Sequence, residues 1–254
     1  DALRDTEVRV FEHLRAVLSA HHTQQSKDMD TKMHQTSPKM ALLAGFSLIA
    51  MALIAGFAYG YGFENIYVAN DGPATLKNLN QSATLFRWVL FSFVIILILD
   101  VVVAWALYIF MKQVDESLSL LSAWLRLVYA ALLGVALLNL VGILPEVTGP
   151  SQSASVTMTS FRAFLAMWSL GLIVFGGHLF LLGYLMLRSG FISKILGILM
   201  LVASVCYLFA NMAQLLLPNY EHYKATVDAV MSAPMALGEL GLAGWLVWKG
   251  GKGS

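Results

Sequence analysis

Four ionisable side chains lie inside apolar segments of this sequence, where a charge is costly. They are Asp100, Arg126, His178 and Glu239. A charge at the centre of a bilayer costs at least about 2.5–3.5 kcal/mol, so such residues usually face the interior of a helical bundle and pair there. Carboxylate, guanidinium and imidazole groups can form ion pairs, exchange protons or hold a ligand. The pattern predicts one polar site inside a membrane domain.

Spacing from basic residues indicates how deep two of these side chains lie. His178 precedes Arg188 by ten residues, and Glu239 precedes Lys249 by ten. At about 1.5 Å per residue, each lies about 15 Å from its cation. That distance is half of a hydrocarbon core about 30 Å thick. Both side chains are therefore expected near the midplane.

Asp100 and Arg126 are expected at the same depth. Asp100 precedes Lys112 by twelve residues, and Arg126 follows in the next apolar segment. Because consecutive segments are antiparallel, the long guanidinium can reach the carboxylate and form a bidentate pair. The alternative for these two residues is a purely structural ion pair that holds helices together.

His178 and Glu239 are then expected to form a second couple. Tyr207 and Asn211, both in the fifth apolar segment, supply neutral hydrogen-bond partners for it. Imidazole has an ordinary pKa of about 6.5, so protonation of His178 is the natural switch in this arrangement. The candidate binding layer thus contains six residues: Asp100, Arg126, His178, Tyr207, Asn211 and Glu239.

Membrane helices must position these side chains. Of the 254 residues, 58% are hydrophobic and only 12% are charged, whereas soluble domains have about 25% charged residues. A run of about 20 apolar residues spans a bilayer, and the runs here lack the alternation of barrel strands. The predicted fold is all-α: a polytopic membrane protein with six transmembrane helices. The runs lie near residues 40–62, 86–111, 118–144, 161–187, 191–217 and 230–248.

Glycine and proline residues near the site predict its local shape. Gly176 and Gly177 stand directly before His178, where they let a neighbouring helix or a ligand approach the backbone. Pro234 precedes Glu239 by five residues and frees a carbonyl one turn earlier. We expect it to bend the last helix around the site.

The amino-terminal part of the chain differs from the rest. Residues 1–38 are predicted to form an amphipathic helix and a polar linker, with apolar side chains of residues 3–18 on one face. That face suits the membrane surface or a partner helix. Met29 and Met33 suit native starts, so residues 1–28 are interpreted as an upstream extension or an added segment. Residues 39–250 form the transmembrane domain, and residues 251–254 form a tail.

Basic residues beside the spans predict orientation. With the amino terminus in the cytoplasm, Lys39, Lys112, Arg188 and Lys249 lie at cytoplasmic helix ends. Tyr184, four residues before Arg188, suits an aromatic anchor at the interface. The predicted location is the plasma (inner) membrane, with multiple spans and both termini in the cytoplasm.

Several kinds of chemistry have no support in the sequence. The net charge of +1 gives no reason to expect a nucleic-acid partner. No HExxH motif, paired cysteines, GxSxG elbow or Walker loop occurs, and no metal or particular cofactor is predicted. A metal held by Asp100, His178 and Glu239 stays conceivable, although such a ligand set is weakly diagnostic.

Four segments of the membrane domain carry a family resemblance. They are WALYIFMK, WLRLVYAALL, VFGGHLFLLGYLMLRSGFISKILGILM and GELGLAGWLVWKG. Over about residues 40–250, the chain resembles a family of small bacterial integral membrane proteins catalogued as a domain of unknown function. Arg126, His178 and Glu239 fall on family-like motif positions, while Ser193 stands where the family often has proline. The resemblance implies a bacterial plasma-membrane bundle and no particular activity.

Three functions fit these observations. The first is binding or transport of a small solute or proton by a polar pocket at the midplane. In it, Glu239 and His178 titrate or bind the ligand, and Arg126 is the counter-ion of Asp100 or a clamp for an anion. The second is an intramembrane enzyme that uses a carboxylate and a histidine as acid and base on a lipidic substrate. The third is a non-catalytic assembly subunit that docks through residues 3–18.

Overall fold

The computed structural model describes residues 38–148, 153–217 and 220–250, and these ranges contain helices and no strands. Six helices are long and apolar enough to cross a membrane, which confirms the all-α fold with six spans. The helix predicted within residues 1–38 and the tail 251–254 lie outside the described residues.

Most helix boundaries agree with the predicted apolar runs, but two helices begin earlier. In chain order the helices are α1 (Pro38–Ile66), α2 (Gly72–Gln81), α3 (Ala83–Met111), α4 (Glu116–Val141), α5 (Leu144–Thr148), α6 (Ala154–Arg188), α7 (Lys194–Leu216) and α8 (Glu221–Trp248). The membrane-spanning helices are α1, α3, α4, α6, α7 and α8. Helices α6 and α8 extend through polar residues before their apolar runs, because backbone hydrogen bonding continues where hydropathy falls. At 35 residues, α6 is about 52 Å long and exceeds the hydrocarbon thickness.

Helix α6 lies at the centre of the bundle. It packs against α4 and α7, while α3 packs against α4 and α8 against α7. Short turns join α3 to α4 and α6 to α7, so both pairs are antiparallel hairpins, as predicted. Arg188 at the end of α6 contacts Asp115 at 3.2 Å, and Asp115 also caps α4 by accepting from the Leu118 amide. The two hairpins are therefore linked at their turns.

An aromatic cluster fixes the far end of α1 against α3 and α6. The ring of Phe63 lies 5.4 Å from Phe161 and 5.5 Å from Phe164, measured between centroids. Tyr59 meets Trp168 edge to face at 5.1 Å, and Phe93 meets the same indole at 5.7 Å. Edge-to-face pairs of this kind stabilise packing beyond the area they bury. The cluster holds Tyr59 and Trp168 beside the bundle interior.

Two spanning helices are irregular at a similar level. Helix α1 contains a π-helical segment, Gly56–Phe63, and α8 contains Pro234. A π segment widens the helix, and an internal proline removes one backbone hydrogen bond. Such irregularities are common beside functional sites.

Glycines allow α6 and α7 to approach closely. A Cβ placed on Gly176 would lie 2.8 Å from Leu208 Cγ, and one on Gly183 would lie 3.1 Å from the Leu201 backbone nitrogen. A Cβ on Gly177 would make an ordinary 3.5 Å contact with Leu125. Gly176 therefore has the packing role predicted for it, and Gly177 has room to spare.

We expect Gly183→Ala to destabilise the protein by about 1–3 kcal/mol, because the added methyl group meets backbone that cannot move aside. Gly177→Ala on the same helix is the matched control and should be neutral or slightly stabilising. Thermal unfolding of both variants in detergent measures the difference. Equal melting temperatures for the two would contradict close packing of α6 on α7.

Candidate functional site

Asp100 of α3 and Arg126 of α4 form a buried ion pair. Arg126 Nη2 lies 2.7 Å from Asp100 Oδ1, and the two side chains are 2% and 0% exposed. The contact is single rather than the bidentate one predicted. Asp100 Oδ2 and Arg126 Nε have no hydrogen-bond partner within the described ranges, and the contact at Oδ1 does not have hydrogen-bond geometry. Charge is therefore balanced here, but hydrogen-bonding capacity is left over.

The guanidinium of Arg126 joins three helices. Its Nη1 lies 3.3 Å from His178 Nε2 on α6, and its Nη2 lies 3.9 Å from Met51 Sδ on α1. Its central carbon lies 5.3 Å from the centroid of the Phe175 ring, within cation–π range. These contacts fix the position of the guanidinium from several sides.

The hydrogen bonds of His178 assign its tautomer. An arginine side chain can only donate, so the Nε2 atom that faces Arg126 must accept. His178 Nδ1 lies 2.9 Å from the Ser122 carbonyl oxygen, to which it donates its proton, and 2.9 Å from Ser122 Oγ. The imidazole is therefore neutral, with its proton on Nδ1. This geometry supports a role in positioning Arg126 rather than the protonation switch predicted for His178.

Glu239 of α8 pairs with Tyr207 of α7. The phenol of Tyr207 donates to Glu239 Oε1 at 2.7 Å. No cation forms an ion pair with Glu239 in the part of the chain that the structure describes. The couple predicted between His178 and Glu239 is not formed, because each side chain is held by a different partner.

Asn211 forms hydrogen bonds with the backbone of Tyr207 and with a side chain of α6. Its Nδ2 donates to the Tyr207 carbonyl oxygen at 2.8 Å, and its Oδ1 accepts from Ser169 Oγ at 2.9 Å. The amide therefore links α7 to α6 through its buried hydrogen bond with Ser169. It does not line the cavity described next.

A cavity of about 360 Å³ lies among the six spanning helices. An engineered apolar cavity of about 150 Å³ already holds benzene, and small-molecule pockets begin at about 300 Å³. The wall of the cavity in this protein is mostly apolar. The polar or aromatic-polar side chains on it are Tyr59, Asp100, Arg126, Tyr129, Trp168, Tyr207 and Glu239.

The structure brings four of the six predicted residues to this cavity: Asp100, Arg126, Tyr207 and Glu239. His178 and Asn211 do not line the cavity. His178 contacts the guanidinium of Arg126, and Asn211 contacts the backbone of Tyr207. Ser122, the partner of the His178 imidazole, was not among the predicted site residues. Ser122 precedes Arg126 by four residues and so shares a face of α4 with it, a spacing that could have indicated this role.

Two of the aromatic residues on the cavity wall, Tyr129 and Trp168, form a hydrogen-bonded pair that the sequence did not indicate as part of the site. Trp168 Nε1 donates to the Tyr129 hydroxyl at 3.3 Å, which orients both rings. No local motif marks either residue, because an aromatic ring in an apolar segment is ordinary. Only the packing of α4 against α6 identifies them.

The described residues contain no group of three histidine, cysteine or carboxylate side chains that could hold a metal ion. Asp100, His178 and Glu239, the set that the sequence left open, are therefore not assembled as ligands. The arrangement is suited instead to a fixed ion pair and a separate carboxylate on one cavity wall.

We expect Arg126→Met to lower the free energy of unfolding by about 3–5 kcal/mol, because it leaves the Asp100 carboxylate buried without a counter-ion. The double variant Asp100→Leu with Arg126→Met removes both charges and should recover most of that loss. Thermal unfolding in detergent compares them. A double variant no more stable than Arg126→Met would show that the loss does not come from an unpaired charge.

His178→Ala should destabilise the protein by about 1–3 kcal/mol, because Arg126 Nη1 loses its acceptor in a buried site. His222→Ala, which removes an exposed imidazole, is the matched control and should melt like the wild type. The same unfolding assay tests both. Unchanged melting of His178→Ala would remove the positioning role from His178.

Comparison with known proteins places the chain in context. Residues 43–250 match the family described as Domain of unknown function (DUF4386). An uncharacterised protein of the archaeon Archaeoglobus fulgidus is 33% identical over 174 residues, which cover 68% of this chain and 90% of that protein. That relative is archaeal, so the bacterial origin implied by the resemblance has no support from it. No solved structure matches the chain.

Proposed function

The chain belongs to the DUF4386 family of unknown function, and from that premise we propose that its intramembrane cavity binds a small solute or a proton. One observation carries the proposal. Two carboxylates and a guanidinium, contributed by three different spanning helices, line a single cavity of about 360 Å³. Ionisable groups at membrane depth are costly and usually mark ligand or ion pathways.

The charged groups on the wall have different roles in this proposal. Asp100 and Arg126 neutralise each other at 2.7 Å, and Arg126 is held further by His178. Glu239 has a neutral partner, the phenol of Tyr207. A carboxylate without a counter-ion is unfavourable in an apolar medium. Glu239 is therefore the group that takes up a proton or pairs with a positively charged solute.

Unused hydrogen-bonding atoms support binding in the same cavity. Asp100 Oδ2 can accept and Arg126 Nε can donate, and neither has a protein partner within the described ranges. Buried polar atoms in native proteins are nearly always satisfied by protein, water or ligand. Both atoms are buried in this structure, so in the proposed function a small displacement of the cavity wall gives water or a solute access to them.

The geometry favours binding over the enzyme hypothesis. Acid–base catalysis by Glu239 and His178 needs each group free to reach a proton of the bound substrate. His178 instead uses Nε2 to accept from Arg126 and Nδ1 to donate to Ser122. The assembly hypothesis rests on residues 3–18, which lie outside the described residues.

We also propose the plasma membrane as the location, with both termini in the cytoplasm, from the basic residues at the helix ends.

We expect Glu239→Gln to abolish one pH-dependent carboxyl band, that of the buried Glu239 side chain, without loss of stability. The glutamine carbonyl can still accept from Tyr207, and the change removes an uncompensated charge, so the variant should melt at or above the wild-type temperature. Difference infrared spectra of the protein in lipid, recorded while pH is changed, follow the protonated carboxyl band. The wild-type band should be missing in Glu239→Gln.

Asp228→Asn is the matched control. Asp228 lies on the same helix, is exposed and pairs with Lys224 at 2.9 Å. This variant should keep the band assigned to Glu239. An unchanged band in Glu239→Gln would show that Glu239 does not exchange protons and would contradict its proposed role.

A further inference from the structure

The two helices that complete the cavity wall, α1 and α8, pack closely where α1 begins and α8 ends. A Cβ placed on Gly45 would lie 2.7 Å from Val247 Cγ2 and 3.1 Å from the Ala243 carbonyl oxygen. A Cβ on Gly250 would lie 2.9 Å from Ala41 Cβ. The helices are therefore in close contact over these turns.

Two turns farther along, α1 and α8 each have exposed residues on the cavity wall. Ala52 of α1 and Ala236 of α8 both line the cavity, and both are exposed. Leu240, also on the cavity wall, is 50% exposed. A Cβ on Gly56, one turn beyond Ala52, would meet no atom within 4 Å. From these exposed residues and the open space at Gly56 we infer a gap in the cavity wall between α1 and α8, within their membrane-spanning segments.

The irregular segments lie beside this gap. The π-helical segment of α1 begins at Gly56, and Pro234 of α8 lies half a turn from Ala236. Both distort their helices on the side of the gap away from the Gly45 contact. The separation of α1 and α8 therefore coincides with features in each helix that can produce it.

The charges on the cavity wall select for a cation. The acidic groups are Asp100 and Glu239, and the basic group is Arg126. Arg126 is neutralised by Asp100 at 2.7 Å, which leaves Glu239 without a counter-ion. Aromatic rings, of which Trp168 is the best cation–π partner, complete the wall. An anion would meet a guanidinium whose charge Asp100 already balances.

We propose that the cavity takes an amphipathic organic cation, whose ammonium group lies beside Glu239 and whose apolar tail leaves through the gap between α1 and α8. This inference rests on the proposed binding function and specifies the class of ligand. The opening faces hydrocarbon, so a tail there remains in the medium it prefers. The head group exchanges its hydration shell for the carboxylate and the aromatic rings.

Calorimetric titration of the full chain in nanodiscs with decyltrimethylammonium tests the head group, with empty nanodiscs subtracted. The wild type should bind this cation and not decyl glucoside, which has the same tail and no charge. Glu239→Gln should weaken binding at least about tenfold, as expected when one partner of a buried charge pair is lost. Asp228→Asn should bind like the wild type.

The same titration tests the tail with Gly56→Leu. The leucine fills open space in the gap, so it should weaken decyltrimethylammonium binding and leave tetramethylammonium binding unchanged. Gly244→Leu is the matched control. A side chain there also meets open space, but Gly244 lies one turn beyond Leu240, the last residue of α8 on the cavity wall, whereas Gly56 lies between Ala55 and Tyr59 of that wall. It should change neither affinity.

Four results would overturn the inference. If decyltrimethylammonium and tetramethylammonium bind with equal affinity and Gly56→Leu has no effect, the apolar tail does not lie in the gap between α1 and α8. Absence of cation binding with a normal Glu239 carboxyl band would exclude the ligand class and leave a proton site. Loss of a dimer in Gly56→Leu, seen by light scattering, would assign the gap to a second copy of the chain. Absence of both cation binding and the carboxyl band would remove the proposed function as well.

Discussion

The Asp100–Arg126 ion pair is the constraint on which the rest of the site depends. Both charges are fully withdrawn from solvent, with 2.7 Å between Nη2 and Oδ1. Two unpaired charges in this medium would oppose folding strongly, so α3 and α4 must meet with these side chains in register. Once Arg126 is fixed, His178 accepts from it and adopts one tautomer. The Phe175 ring then packs against the guanidinium.

Phe175 separates the cavity's two polar groups. Its ring lies 4.8 Å from Tyr129, on the side of the ion pair, and 5.3 Å from Tyr207, which holds Glu239. The fixed pair and the free carboxylate therefore share a cavity wall without sharing a partner. In the proposed function, this division gives the site a balanced ion pair and one carboxylate whose charge depends on the proton or solute that it binds. Central placement of α6 makes the division possible, because the helix contacts both α4 and α7.

Much of the fold could be predicted from composition and length. Lipid allows a chain with these apolar runs only a helical bundle, and the helices begin and end close to the predicted limits. Helix starts were less accurate for α6 and α8, where polar residues continue the helix beyond the lipid. The depth of the charged layer was also accessible, since rise per residue is constant along a helix. Depth alone, however, says nothing about which way a side chain points around the helix axis.

The sequence by itself determined the membrane class, the six spans and the set of ionisable residues that need partners. Tertiary structure decided the partners. His178 was expected beside Glu239, but rotation of α6 turns it toward Arg126 and Ser122. Glu239 is left with Tyr207, on a cavity wall to which all six spanning helices contribute. The physical reason is that the free energy of inserting a helix into lipid depends on how many charges it carries and how deep they lie. Both quantities can be read from the sequence. Pairing depends on helix rotation and packing, which close contacts such as Gly183 on Leu201 set only when the bundle assembles.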